Sequence, residues 1–366
     1  MTSRPVNEYA PDRVSPPGDT LAETLAALGM TQAELATRLG RPRKTVNEIV
    51  KGKAAIEPET ALQLESVLGV PAAFWMEREA RYRESLARQT RKRSLVAGAE
   101  WARRFPCAAM AKLGWVPADT PRADRVAILL RFFGVASTDA WEELWRAREV
   151  AFRRSVRRGG RQGAIAAWLR RGEIEALGLD CAPFDRERFR TVLDMARPLT
   201  REAPSAVQPR LTELFASAGV ALVWVPALTG APISGATRWL SDRKALVQLS
   251  LRYKSDDQLS FSLFHEAAHV LLHPKKAVFL EGTGLDTPEE READRFAADH
   301  LISPQDYATL LAGPLTLDRI EDCARRIGLA PGIIVGRLQH DHHMRFHEGN
   351  GLKRRLRWVL AERETA

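Results

Sequence analysis

Two histidines four positions apart, His265 and His269, lie with Glu266 inside a stretch, Ser255 to Pro274, that is otherwise apolar almost all round. On a helix, residues four apart share a face, with Cβ atoms about 5–6 Å from each other, so both imidazoles can reach one metal ion. Glu266 is the next residue along and turned aside, where it can touch a water on that ion rather than the ion itself. The pattern is H-E-x-x-H, and the chemistry it points to is zinc-assisted hydrolysis with Glu266 as the general base. Unpartnered polar groups in a buried helix cost on the order of several kcal/mol, so this helix needs these three for something. The competing account is a core helix with two hydrogen-bonded histidines.

Catalytic zinc takes three protein ligands and leaves its fourth position to water. A third histidine ten residues after His265 is absent, because Lys275 stands there, and His273, next to Pro274, reads as structural. The better source is TPEEREADRFAADHLIS, residues 287–303, with an apolar stripe of Ala293, Phe296, Ala297 and Leu301. Projected at about 100° per residue, Glu289 and Glu290 fall on that stripe and Glu292 points to solvent. Glu290 is the favoured ligand, with Glu289 and then His300 as substitutes. Asp294, one turn on, can hold a ligand histidine from behind. A rival account uses Thr287 and Glu290 only as a capping box.

The elements that must position these groups are legible in outline. Ser255 and Gln258 fit a capping box that starts the histidine helix, and Pro274 stops it. Ahead of it, after a helix in RLTELFASAG, three short β-rich runs, VALVWVP, SGATRWL and KALVQLSLR, predict a small sheet packed on that helix, an α+β arrangement. Residues 89–204 show helical periodicity, with Trp101, Trp115, Trp141, Trp145 and Trp168 among aliphatics, which predicts core tryptophans in a helical linker domain. Their arginine runs, densest in FRRSVRRGGRQGAIAAWLRR, read as solvated helix faces, with a second nucleic-acid site as the open alternative. LTLDRIEDCARRIGLAPGIIVGRLQH predicts two packing helices joined at Gly328. The cluster of His340, His342 and His343 reads as polar surface.

The 366 residues carry a formal charge of +9, which favours a polyanionic partner. Cys107, Cys181 and Cys323 are odd in number and far apart, which fits a reducing cytosol rather than a disulfide framework. The opening residues lack a basic start followed by an apolar run, and no stretch nears 18 apolar residues, so neither export nor a membrane span is expected.

Residues 20–88 predict five helices. Thr31 and Glu34 cap the second, Gly40 turns the chain, and Val46 and Ile49 anchor the third. Gln32 opens the second helix, and Arg43, Lys44, Thr45, Asn47, Glu48 and Lys51 point outward from the third. From this set, Gln32, Arg43, Lys44, Thr45, Asn47 and Lys51 are the candidate contacts to double-stranded DNA in a major groove. A five-helix bundle used only for protein contact is the alternative. GMTQAELATRLGRPRKTVNEIVKGKAAIEPETALQLESVLGVPAAFW resembles the Xre-family DNA-binding domain of HigA-type antitoxins, a lambda-repressor-like bundle. HEAAHVLLH followed by EREADRFAADHLIS resembles the ImmA/IrrE zinc metallopeptidases, whose usual E-x-x-A-N-x-F-A carries Asp294 here in place of Asn.

The sequence predicts a multidomain, mainly α chain with a polar, Pro-rich arm at 1–19, a helical region at 89–204 and a basic tail at 346–366, and the resemblances imply the helix-turn-helix bundle at 20–88 and a gluzincin-like domain at 205–345. The resemblances imply Zn²⁺ held by His265, His269 and Glu290, with Glu266 catalytic and Asp294 behind. They also imply a cytoplasmic regulator, a homodimer on an operator, that cleaves a transcriptional repressor, with a toxin as a possible further partner. The alternative is a non-catalytic antitoxin or repressor whose peptidase-like domain is a zinc-bound sensing module.

Overall fold

The computed structural model describes residues 14–152, 162–275, 278–281 and 287–358. The chain forms two compact units, Met1–Ala97 and Gly98–Ala366.

The first unit holds α1 (Pro17–Ala27), α2 (Gln32–Leu39), α3 (Arg43–Val50), α4 (Pro58–Leu68) and α5 (Ala72–Ala97). Thr31 caps α2, its hydroxyl accepting from Glu34 N–H at 3.1 Å. Glu34 does not return the bond; its carboxylate pairs with Arg38 instead. Gly40 ends α2 at φ 65°, a left-handed turn that costs glycine little. Leu21, Leu35, Val46, Ile49, Leu64 and Trp75 are the centre of the core. The fifth helix, expected to end within residues 20–88, runs to Ala97. No breaker intervenes before Gly98, and pairs such as Glu84 with Arg88 support its exposed face. The expected arm lies outside the described residues up to 13, and Pro17–Thr20 form the first turn of α1.

The second unit opens with α6 (Ala99–Ala102), α7 (Cys107–Lys112), α8 (Arg125–Phe133), α9 (Thr138–Phe152), α10 (Gln162–Leu177), α11 (Arg186–Ala196) and α12 (Pro204–Ser217). The five tryptophans named from the sequence are all buried. Trp101 packs edge-on to Trp141, which stacks on Trp145. The middle of the arginine run, 153–161, lies outside the described residues.

Next come β1 (Val220–Trp224), β2 (Gly235–Ser241) and β3 (Lys244–Leu249), the three runs expected as strands, and a short β4 (Phe279–Leu280) that no sequence pattern announced. The sheet order is β1-β3-β2-β4, with β1 parallel to β3 and the other pairs antiparallel. Trp168 on α10 donates to Val225 O, and Gln248 on β3 donates to Trp168 O, which fastens the helical region to the sheet.

The histidine helix is α13 (Asp256–Leu272), followed by α14 (Pro288–Leu301), α15 (Pro304–Leu311), α16 (Leu317–Ile327) and α17 (Pro331–His340). Helix α13 packs on β2, β3, α14 and α17, and Leu263, Phe264, Ala267, Val270, Val247 and Ile334 share one core with it. Its expected serine cap is not made. Ser255 is drawn into a bridge with Arg355. The Asp256 carboxylate instead accepts from Asp257 N–H and from the backbone and guanidinium of Arg354. No helix among the described residues is long and apolar enough to cross a membrane.

Candidate metal centre and nucleic-acid interface

Helix α13 turns its polar trio inward. His265 is 2% exposed, His269 1% and Glu266 not at all. Helix α14 crosses beside them and presents Glu290, with 13% of its side chain exposed. Its carboxylate lies 3.2 Å from His265 Nε2 and 3.7 Å from His269 Nε2, and the two Nε2 atoms are 3.1 Å apart. Two atoms about 2.0–2.2 Å from a tetrahedral zinc stand about 3.3–3.6 Å from each other, so the three separations suit one such ion. Thr287 does cap α14, accepting from Glu290 N–H. The cap uses only the Glu290 backbone, so its carboxylate is left for the histidines.

The bonds behind the trio fix which nitrogens carry protons. His265 Nδ1 meets Asp294 Oδ1 at 2.9 Å, and a carboxylate can only accept, so Nδ1 donates. His273 Nε2 donates to Glu292 Oε2 at 3.2 Å, leaving its Nδ1 to accept from His269 Nδ1 at 2.8 Å. When both rings are neutral, with one proton each, both Nε2 atoms face the Glu290 carboxylate bare, and the three acceptors form a seat for a cation; a proton on His265 Nε2, bonded to Glu290, takes that place when no metal is bound.

Without a cation the same crowding acts on the titrations. Burial pulls the His265 pKa down, but its bonds to Asp294 and Glu290 prevail and hold it well above the usual value. Burial, with His265 and His273 beside it, pushes His269 down to about 2. Burial also lifts Glu266 well above the usual carboxylate range, against the opposing pull of His265.

Neither carboxylate oxygen of Glu266 has a hydrogen-bond partner among the described residues. Thr237 on β2 donates to its backbone carbonyl instead, at 2.9 Å. Gly235 lies so close that a Cβ there would stand 2.5 Å from Glu266 Oε1. The strand edge can approach the carboxylate only because residue 235 has no side chain.

Of the other carboxylates and histidines named from the sequence, Glu289 is exposed, and His300 stacks on Phe296 with Nε2 towards Asp194. Glu292 was expected to point to solvent; its side chain is 60% exposed, yet it reaches His273. Sequence reasoning missed this link, although the i, i+4 step from His269 to His273 was there to read. It also missed Gly235, Thr237 and half-buried Glu281, whose pKa is raised by loss of solvent around the carboxylate. No spacing in the chain ties these three to α13.

In the first unit, α2 and α3 pack together through Leu35, Ala36, Val46 and Ile49. Arg43, Lys44 and Lys51 are exposed, and Gln32, Thr45 and Asn47 are half-buried. Glu48, also expected to point outward, is half-buried and 3.9 Å from Lys44 Nζ.

Comparison with known proteins agrees with this division. A family model described as helix-turn-helix matches residues 21–75, and one described as IrrE N-terminal-like domain matches residues 235–339. Virulence-associated protein A of Dichelobacter nodosus is 41% identical over 59 residues, 16% of this chain and 58% of that protein. The uncharacterized HTH-type transcriptional regulator YddM of Escherichia coli (strain K12) is 33% identical over 60 residues, 16% of this chain and 64% of that protein. The chain thus spans less than two thirds of either relative. Among solved structures, a HigA-family addiction module antidote protein from Coxiella burnetii is 33% identical at a TM-score of 0.21, covering 21% of this chain and 86% of that one. A putative antidote protein of a plasmid maintenance system from Nostoc punctiforme is 27% identical at a TM-score of 0.22, covering 22% and 89%. Residues 21–75 are therefore a helix-turn-helix domain, and residues 235–339 an IrrE N-terminal-like domain, carried on one chain.

Proposed function

We propose that this chain is a cytoplasmic DNA-binding regulator whose second unit is a zinc endopeptidase acting on another regulatory protein, with a transcriptional repressor as the substrate class. The observation that carries the reading is the convergence of His265, His269 and Glu290, within 4.8 Å of one another, beside a buried Glu266 whose carboxylate has no partner among the described residues. In this reading the three are the ligands of one Zn²⁺. Bound there, zinc would bring a water's pKa to about 7 and polarise the substrate carbonyl.

The protein's own part follows from its geometry. Asp294 fixes His265 from one side, and His273 with Glu292 fixes His269 from the other, so neither ring has to turn to bind. Glu266 accepts a proton from the attacking water at a carboxylate oxygen and passes it to the leaving amine. The dry core around it keeps bulk water from competing.

For the first unit, the reading places Gln32, Arg43, Lys44, Thr45, Asn47 and Lys51 on operator DNA. A homodimer would read half-sites about 34 Å apart, one helical turn. A toxin as an additional partner belongs to the same proposal.

The test is Glu266→Gln. The amide cannot take the proton, so peptidase activity should fall by roughly 10²–10⁴-fold. Zinc content and operator binding should stay near wild type. Regulation in cells is then compared at matched protein abundance. A lost response, with a repressor-sized protein left uncut, supports the peptidase; an unaltered response leaves a zinc-bound sensing or partner-binding module instead.

A further inference from the structure

A cavity of about 380 Å³ opens between the first half of α13, α14 and α17. Asp294 lines it and also holds His265, so the cavity adjoins the cluster. Phe261, Leu301, Ile302 and Ile333 give it apolar walls. Ser234, Asp257 and Glu281 line it too, and Ser234 Oγ, Asp257 Oδ1 and Glu281 Oε2 are buried without a hydrogen-bond partner among the described residues. Ser234 is 3% exposed and Asp257 4%. The second oxygen of Asp257 is 2.6 Å from Lys353 Nζ, so the carboxylate is anchored and only Oδ1 is left open.

Buried polar atoms are nearly always paired, and three orphans around one void call for a ligand that brings donors. The sign of its charge follows from the lining, where five carboxylates face two arginines. Arg337 is paired with Asp341, and Lys353 with Asp257, which leaves Glu281, Asp294 and Asp299 opposite Arg295. At the mouth, Asp294 and Asp299 are exposed. A cation with several N–H groups on an apolar stem matches walls, floor and charge together.

We propose that this cavity is a specificity pocket for an arginine or lysine side chain of the substrate, beside the scissile bond. The stem lies against Phe261, Leu301 and Ile333, and the head donates to Asp257 Oδ1 and Ser234 Oγ. The substrate role rests on the peptidase reading; the cationic seat does not.

The probes are alanine-based hexapeptides that differ at one residue, arginine, citrulline or norleucine, with agmatine as a free cation. They are titrated calorimetrically into full-length, zinc-loaded Glu266→Gln protein. The arginine peptide should bind at least about tenfold tighter than either neutral one, the effect of charge-assisted hydrogen bonds. Asp299→Lys, a change at an exposed position, should erase most of that preference. Asp257→Asn should do so as well, with circular dichroism reporting whether it stays folded. Equal binding of arginine and norleucine peptides, or an unchanged preference in Asp299→Lys, overturns the pocket.

Wild-type protein is then given a mixed peptide library. Cuts beside arginine or lysine support the substrate role, and cuts with no basic preference overturn it while the peptidase stands. If nothing is cut while the arginine peptide still binds, the peptidase reading fails and takes the substrate role with it. Agmatine binding as tightly as the peptide also overturns the substrate role and makes the cavity a seat for a free cation.

Discussion

Helices α3 and α13 both carry polar residues at helical spacing, and they treat them in opposite ways. On α3 the basic side chains stay outside; Lys44 is 84% exposed and its neighbour Arg43 is exposed too. On α13 the polar trio is buried to 2% exposure or less, and a further layer of Asp294, His273 and Glu292 is bonded to it. An exposed face needs no supporting layer, because water serves each group until a large partner arrives. A buried one has no such solvent and must be built to completion by the protein, save for the one position its ligand fills. In the proposed reading α3 meets a macromolecule that brings its own surface, and α13 holds a single small ion.

The sharpest way to break the comparison is at the ligands. His265→Ala, His269→Ala and Glu290→Ala should each abolish stoichiometric zinc, against about one zinc per chain in wild type, by metal analysis of the purified protein. Operator binding by the same proteins should persist. Full zinc retention in Glu290→Ala would remove it from the ligand set. Because His265 holds a raised pKa without metal, zinc must displace a proton there, and apparent affinity should drop as pH falls.

A step down in size is the supporting layer. Asp294→Ala leaves all three ligands but frees the His265 ring, and should weaken zinc by about 10–100-fold in a competition titration with a chelator. Glu292→Ala acts one bond further out, through His273, and should cost less. If both variants hold zinc as tightly as wild type, the bonded layer is packing and the contrast between the helices narrows to burial alone.

How far the sequence disclosed this contrast depends on range. Local signals were plain: Thr31 and Gly40 delimit α2, Pro274 follows the end of α13, and the three expected strands are strands. The i, i+4 pair of histidines shares a face because helical geometry leaves it no choice. Glu290 came within reach of the cluster through an amphipathic projection, since its own helix has a clear apolar stripe. What could not be read was set by tertiary neighbours. Ser255 lost its capping role to a bridge with Arg355, a residue 100 positions away. Gly235 matters only because β2 runs beside Glu266, and Glu281 only because two-residue β4 places it there. No periodicity marks such short or crossing elements.

Smaller again are the effects expected on α3. If Asn47 reads a base edge, Asn47→Ala should lose about 1–3 kcal/mol of discrimination at one base pair of the selected operator, with other positions unchanged. Operator selection and competition binding on the full chain measure this. A uniform loss across all sequences would instead assign Asn47 to the DNA backbone.

The smallest effect separates charge from recognition. Lys44 and Lys51 bracket α3, one in its first turn and one at its C-cap. If each neutralises one phosphate, Lys44→Ala and Lys51→Ala should each lower the salt-dependence slope by about 0.9, and weaken binding to all sequences alike. The two are not equivalent in the free protein. Lys44 stands 3.9 Å from Glu48, a loose exposed pair of little worth to stability, so its removal should leave the melting temperature unchanged. Lys51 sits where the helix dipole favours a cation, so its removal should cost about 0.3–1 kcal/mol at low salt. Slopes that stay at the wild-type value in both variants would mean the exposed face of α3 meets no phosphate, and the outward polarity of this helix would be surface alone.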